Sequence, residues 1–292
     1  MTIALLGTGL LGSAIATRLL QSGQSLVVWN RRPERCAPLL ELGARQAASP
    51  GDAAASAEWL ITVLSDGPIT ASVLLDQVGR GLAGKRVLQI GTIGPDQSRA
   101  LAEGVAAHAG QYLEAPVLGS RPEALAGQLQ LMTGGPRPLM EEARPLLSLL
   151  SEAPMHLGEV GAAMGAKLAL NQLIASLTHA FSLSLHLVQR SGVEVEAFME
   201  LLRSSALYAP TFDKKLQREL SGDYANPNFP TAHLRKDLQL FINAAQDSGL
   251  NSEGLIGLAQ LLERSEAAGL DELDYCALHA LTAGQTAAAA PA

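Results

Sequence analysis

Residues 1–34 read MTIALLGTGLLGSAIATRLLQSGQSLVVWNRRPE, with no charged side chain before Arg18. Three glycines decide how this apolar opening is to be read. They stand at Gly7, Gly9 and Gly12 in the run Gly7-Thr8-Gly9-Leu10-Leu11-Gly12. Before them lies a short apolar segment of strand character, Thr2–Leu6; after them residues 13–21 carry Ile15, Leu19 and Leu20 at helical spacing. A Ser22-Gly23 stop and a second apolar strand, Ser25–Trp29, follow. Strand, glycine turn, helix, strand is the order of a dinucleotide-binding unit. In such a unit the first glycine allows a tight turn, the second lets a pyrophosphate approach the backbone, and the third brings helix and strand together. The start of the helix then turns unpaired N–H groups toward the phosphates. An export signal would carry positive charge ahead of its apolar core, and a spanning helix would need roughly 20 apolar residues without such glycines.

With 292 residues the chain is long enough for two domains, and 48% hydrophobic residues supply a large core. A net charge of -7 argues against a nucleic-acid partner. Cys36 and Cys276 form neither a metal spacing nor a disulfide framework, which suits a reduced, cytoplasmic setting. Residues 168–189 are uncharged, but nine polar residues interrupt these 22 positions. This pattern predicts a long helix covered by protein rather than lipid, and hence a homodimer or higher homo-oligomer. The six histidines are scattered without ligand spacing, so no metal is expected, and there is no GxSxG or Cys/His pairing for hydrolysis.

Along the chain, strands are expected at 59–64, 86–90, 111–115, 129–133 and 154–157, alternating with helices at 33–42, 51–57, 69–75, 96–109 and 140–148. Residues 116–128 are read as a glycine-containing loop. The result is a doubly wound α/β sheet of Rossmann type over residues 1–160. From Gly161 strand signals give way to helical periods: Ala162–Arg190, 195–204, 211–222, 231–248, 252–267 and 275–282. Residues 161–292 therefore form an all-α domain, entered through a long interdomain helix, with the tail 283–292 expected to fray. No internal repeat is present.

Four motifs, in order, carry a resemblance to a known family. They are the glycine turn; Glu114-Ala-Pro-Val-Leu-Gly-Ser120 continuing to Gly127-Gln-Leu-Gln-Leu-Met-Thr-Gly-Gly135; Gly158-Glu-Val-Gly161-Ala-Ala-Met-Gly-Ala-Lys167-Leu-Ala-Leu-Asn171; and Lys236-Asp237-Leu238, preceded by Phe229. The chain resembles the β-hydroxyacid dehydrogenases, which include 3-hydroxyisobutyrate dehydrogenase and are similar in plan to 6-phosphogluconate dehydrogenase. The EAPVxGS variant looks most like the glyoxylate/succinic semialdehyde reductase branch. The resemblance implies an NAD(P)-dependent oxidoreductase that interconverts a small aldehyde or keto acid with its hydroxy acid.

It also implies roles for particular residues. Lys167 would be the general acid or base, because burial lowers an amine toward working pH. Asn171, four residues on, shares its helix face and would hold the lysine and touch the same oxygen. Spacing alone leaves a surface lysine equally open. Leu64, Ser65 and Thr92 would line the cofactor; Asp66-Gly67-Pro68 reads equally well as a turn. Lys236 would reach back to the cofactor, with an exposed helix charge as the alternative. Leu118, Gly119, Ser120, Phe229 and Asp237 would face the substrate, with N–H groups of Gly119 and Ser120 offered to its carboxylate. Leu118 departs from the family, which usually has serine there, and Arg121 is the nearest compensating charge.

The second strand ends Trp29-Asn30-Arg31-Arg32, without the acid that would bind a ribose 2′-hydroxyl. Two arginines suit a 2′-phosphate, so NADP(H) is expected in preference to NAD(H). Solvent-facing arginines opening a helix are the alternative. Two other functions share the plan: an imine reductase, in which Asp or Tyr often replaces the lysine, and a catalytically silent NADP-binding oligomeric scaffold.

Overall fold

The computed structural model describes residues 2–284. Its first strand, β1 (Thr2–Leu6), pairs in parallel on one side with β2 (Ser25–Trp29) and on the other with β4 (Trp59–Thr62). Between β1 and β2 runs α1 (Leu10–Gln21). Helices α2 (Ala37–Glu41) and α3 (Pro50–Ala55) flank a two-residue strand, β3 (Arg45–Gln46), at the sheet's edge. Then come α4 (Gly67–Ala71), running into a π-helical stretch at Ser72–Val78, β5 (Arg86–Gln89), α5 (Pro95–Ala107) and β6 (Gln111–Glu114). The order β3-β2-β1-β4-β5-β6 is all parallel, the doubly wound arrangement expected, and its reversal lies beside β1. The sheet is extended by β7 (Val117–Leu118), α6 (Arg121–Ala126), β8 (Gln130–Gly134), α7 (Arg137–Leu147) and β9 (Met155–Gly158). Strand β8 runs antiparallel to β6 and β7 and parallel to β9.

The central parallel strands β1, β2 and β4 are mostly apolar because both faces are covered. Ile3, Leu5, Leu26, Val28, Ile61 and Leu88 enter one core, with residues of α1, α6 and α7. Ala4, Leu6, Val27, Leu60 and Val87 enter the other, with residues of α3, α5 and the π-helical stretch. Period-2 alternation thus sorts each strand between two cores rather than between core and water.

Helical structure follows: α8 (Ala162–Arg190), α9 (Val195–Arg203), α10 (Pro210–Ser221), α11 (Thr231–Asp247), α12 (Ile256–Glu263) and α13 (Leu278–Thr282). Among the described residues the one strand-like feature after β9 is an isolated bridge between Pro230 and Asp274. Two compact units separate within α8, residues up to Leu168 in the first and residues from Ala169 in the second. The second has its own cores, one around Leu234, Leu238, Leu262 and Tyr275, another around Phe181, Leu185, Met199 and Phe212.

Several expectations are corrected. Residues 116–128 are not simply a loop: they hold β7 and α6. Helix α6 starts at a capping box in which the Glu123 carboxylate accepts both the N–H and the hydroxyl of Ser120, at 2.7 and 2.8 Å. The helix expected at 33–42 is broken into a 3₁₀ turn, Pro33–Cys36, and α2. The helix expected at 252–267 is the shorter α12 behind a 3₁₀ turn. Strand β3 was not anticipated; two polar residues carry no alternation to read. Of the tail expected to fray, residues 285–292 lie outside the described residues.

Candidate active site

The glycine turn is built as its spacing predicts. Gly7 has φ +106°, and a Cβ there would overlap the carbonyl oxygen of Val63 beyond β4. A Cβ on Gly12 would overlap the Gly7 carbonyl oxygen, whereas one on Gly9 would meet nothing within 4 Å. The turn is therefore packed against protein at its first and third glycines and open at its second. It is tied to both neighbouring strands, by Gly7 N–H to the Trp29 carbonyl and by Val63 N–H to the Leu6 carbonyl, each at 2.9 Å. Helix α1 has no side-chain cap and no acid in its first turn. The first-turn N–H groups at Leu10, Leu11 and Gly12 thus favour an anion, through both hydrogen bonding and the helix dipole. These backbone features fit a dinucleotide pyrophosphate.

Asn30 supplies a brace that spacing did not reveal. Its Nδ2 donates to Thr8 Oγ1 at 2.8 Å, and its Oδ1 accepts from the Arg32 N–H at 3.1 Å. Thr8 is buried and also lies 3.7 Å from Cys36 Sγ. Burial pushes the Cys36 thiol up, so it stays protonated and serves as packing. One amide thus joins the phosphate turn to the end of β2, where Arg31 and Arg32 are exposed.

At the carboxyl ends of β4 and β5 the structure places Leu64 and Thr92 half-buried and Ser65 exposed. Asp66 caps α4: its Oδ1 accepts the Ile69 N–H at 2.8 Å, and its Oδ2 accepts the Ser65 hydroxyl at 2.9 Å. Leu118 is half-buried on β7, and Gly119 is exposed with φ +114°. Because Ser120 gives both its donors to Glu123, a substrate carboxylate would have to displace Glu123 to use them. The Ser-Arg-Pro-Glu spacing is the signal that could have foretold this cap. Arg121, the next residue in the chain, is exposed.

Lys167 lies in the second turn of α8 and is buried, at 8% exposure. Few lysines are so buried without a purpose, because desolvating an ammonium is costly.

In the second unit Asn171, one turn further along α8, is 1% exposed, and its Nδ2 donates to Asp237 Oδ2 of α11 at 2.5 Å. Asn171 Oδ1 is buried without a hydrogen-bond partner, an acceptor left for a ligand or an ammonium. Lys236 Nζ lies 2.8 Å from Asp237 Oδ1, so one carboxylate is shared between the lysine and the asparagine. Phe229 is half-buried, its ring 5.8 Å from Tyr275 and 6.1 Å from His233. Burial, helped by the Lys236 charge and opposed by the Asp237 and Glu272 carboxylates, holds the His233 imidazole below its usual range. A separate hollow of about 410 Å³ on α11 and α12 is lined by Lys236, Arg235, Gln239 and Glu263 but not by Asn171 or Asp237. Its Arg235 is already committed to Asp271 at 2.7 and 2.8 Å. Among the described residues no cluster of His, Cys, Asp or Glu could hold a metal.

A glycine turn open at its second glycine, at the reversal of a parallel sheet, is the form of a nucleotide-binding fold. Comparison with known proteins makes this specific. Residues 2–158 match the NAD binding domain of 6-phosphogluconate dehydrogenase, and residues 161–282 match the NAD-binding domain of NADP-dependent 3-hydroxyisobutyrate dehydrogenase. The chain belongs to the 3-hydroxyisobutyrate dehydrogenase, or β-hydroxyacid dehydrogenase, family of NAD(P)-binding oxidoreductases. It is 29% identical over 281 residues to glyoxylate/succinic semialdehyde reductase 1 of Arabidopsis thaliana, covering 95% of this chain and 97% of that one. Its fold is similar to that of a Mycobacterium tuberculosis 3-hydroxyisobutyrate dehydrogenase solved with L-serine (TM-score 0.86, 23% identity, 96% and 98% coverage). It is also similar, less closely, to an imine reductase from Myxococcus stipitatus in complex with NADP⁺ (TM-score 0.65, 23% identity, 96% and 99% coverage).

Proposed function

We propose that this protein is an NADPH-dependent reductase of a small aldehyde or keto acid, with Lys167 as the proton donor to the carbonyl oxygen. The observation that carries the proposal is the pair Lys167 and Asn171, both buried and one helical turn apart on α8. The cofactor, when bound, supplies the hydride. The residues of this chain do the rest. The backbone at residues 7–12 receives the pyrophosphate, and Arg31 and Arg32 pair with a 2′-phosphate. The Lys167 ammonium gives its proton to the oxygen as negative charge develops there. Asn171, one helical turn on and with its amide nitrogen fixed by Asp237, offers its unpartnered Oδ1 as an acceptor. In the oxidative direction neutral Lys167 takes the proton from the hydroxy acid.

Leu118 gives the second reading, an imine reductase, its one support, since an apolar wall replaces the family's hydroxyl. Lys167 opposes it, and also opposes a silent scaffold. The deciding experiment measures NADPH oxidation with glyoxylate, succinic semialdehyde, other short keto acids and a cyclic imine. Turnover of a carbonyl compound and none of the imine is expected. Turnover of the imine alone, or NADPH binding without any turnover, overturns the proposal.

The proposed assembly is a homo-oligomer in a reducing cytoplasm. Helix α8 is long and apolar enough to cross a membrane by length and composition. Its Ala175, Phe181 and Leu185 instead pack in the cores of the second unit, beside buried Thr178 and Ser182. On its other side Ala169, Leu173, Ala180, Leu183 and Leu187 form an exposed stripe at intervals of three, four and seven residues. A second copy is the proposed cover for that stripe.

A further inference from the structure

Strand β6 ends on a carboxylate that takes no part in the nucleotide cradle. Glu114 is fully buried, and its Oε1 accepts the backbone N–H groups of Ala163 (2.8 Å) and Met164 (3.2 Å), the second and third residues of α8. Its Oε2 accepts the Ser98 hydroxyl of α5 at 2.6 Å, and Ser98 Oγ lies 2.8 Å from the Tyr112 hydroxyl. Ser98 has one proton and gives it to Glu114, so Tyr112 must donate to Ser98. Protons point one way, from Tyr112 through Ser98 to Glu114. The partners of Glu114 are two backbone N–H groups and one hydroxyl, a donor set that suits a carboxylate. Burial, reinforced by the nearby carboxylate, pushes the Tyr112 phenol far above its usual range, which keeps it the donor.

The surroundings preserve this seat. A Cβ on Gly134 of β8 would overlap Glu114 Oε1. The other charged groups nearby are exposed: Asp96 and Arg99, paired with each other in the first turns of α5, and Glu159 just before α8. The carboxylate therefore satisfies orphan N–H groups of α8 and complements its dipole where water does not reach. Lys167 follows Ala163 and Met164 by four and three residues, about 6 and 4.5 Å along the axis.

We propose that Glu114 is a positioning residue for Lys167: it fixes the start of α8, and hence the lysine's origin, and its negative charge one turn away favours the proton-donating ammonium. This rests on Lys167 being the proton donor. Glu114→Gln keeps the shape and removes the charge. With glyoxylate and succinic semialdehyde as probes, kcat/KM for reduction is expected to fall at least 10-fold while NADPH affinity stays within threefold. The alkaline limb of the pH–rate profile should move to lower pH by about one unit. That is the scale of removing a unit charge ~9 Å away at an effective dielectric of roughly 20–40. A purely structural loss would leave that limb in place. Rates within threefold of wild type, or an unshifted limb, overturn the proposal. Should Glu114→Gln fail to fold, Ser98→Ala takes its place: a threefold or greater loss of kcat/KM at unchanged NADPH affinity supports it, and wild-type kinetics overturn it. Lys167→Ala is measured alongside. If that variant is fully active the functional reading falls. If it is inactive while Glu114→Gln behaves as wild type, only the role of Glu114 falls.

Discussion

Glu219→Gln should change how the stability of the second unit depends on pH. Glu219 of α10 is 4% exposed, and its Oε2 has no hydrogen-bond partner. His279 Nδ1 lies 3.7 Å away, and the His279 ring stacks on His186 with centroids 3.9 Å apart. Burial pushes the Glu219 carboxyl from 4.5 up to about 8, against the pull of the Lys215 ammonium. Burial, with His186 adding to it, holds His279 at about 4 rather than 6.5. Between pH 4.5 and 6.5 the pair binds one proton in either state, on Glu219 when folded and on His279 when unfolded, so stability is level. From pH 6.5 to 8 the folded chain retains a proton that the unfolded chain has released. Stability then falls as pH rises, by about 1.4 kcal/mol per unit or roughly 2 kcal/mol in all. In the glutamine variant only His279 remains perturbed. Its stability should instead rise by roughly 3 kcal/mol between pH 4 and 6.5 and then stay level to pH 8. Urea unfolding followed by circular dichroism at pH 4.5, 6.5 and 8 measures this, provided the slope against denaturant is unchanged. Parallel pH dependences in the two proteins would refute the assignment of the buried proton to Glu219.

Three further outcomes are expected. Arg31→Ala with Arg32→Ala should weaken NADPH binding about 10- to 100-fold, the loss of charge-assisted contacts to a phosphate, and leave NADH within threefold; equal losses for both would remove the arginines from cofactor choice. Leu118→Ser should raise kcat/KM for glyoxylate relative to an uncharged aldehyde of similar size, and an unchanged ratio would show that β7 does not face the substrate. Leu183→Glu with Leu187→Glu should shift the mass seen by light scattering at micromolar concentration to that of one chain; a wild-type protein that is already monomeric contradicts the proposed assembly.

How much of this was legible in the sequence depends on how local each feature is. The first unit announced itself because glycine spacing and apolar runs are short-range signals, and the overlaps at Gly7 and Gly12 are the physical demand behind them. The second unit was legible from helical periods. Helix α6 was missed although Ser120 and Glu123 carried its cap, because the glycines around it suggested a loop. Spacing put Lys167 and Asn171 on one helix face but left a surface lysine equally open; their burial came only with the fold. The contacts that hold the site were not legible. Asn171 meets Asp237 across 66 residues of chain, and Glu114 meets the start of α8 across 49, separations that no periodicity encodes. Asn30 could be placed beside a cofactor from its position at the end of β2, but not as the brace of Thr8, since that contact exists only once β1 and β2 pair.

The central claim concerns one buried amine, and single-turnover reduction by Lys167→Ala tests it most directly. With NADPH bound as tightly as in the wild type, the rate of NADPH oxidation by the variant's best carbonyl substrate should fall at least 10²-fold and lose its alkaline limb. A variant that reduces that substrate at the wild-type rate, with the same pH profile, would contradict it.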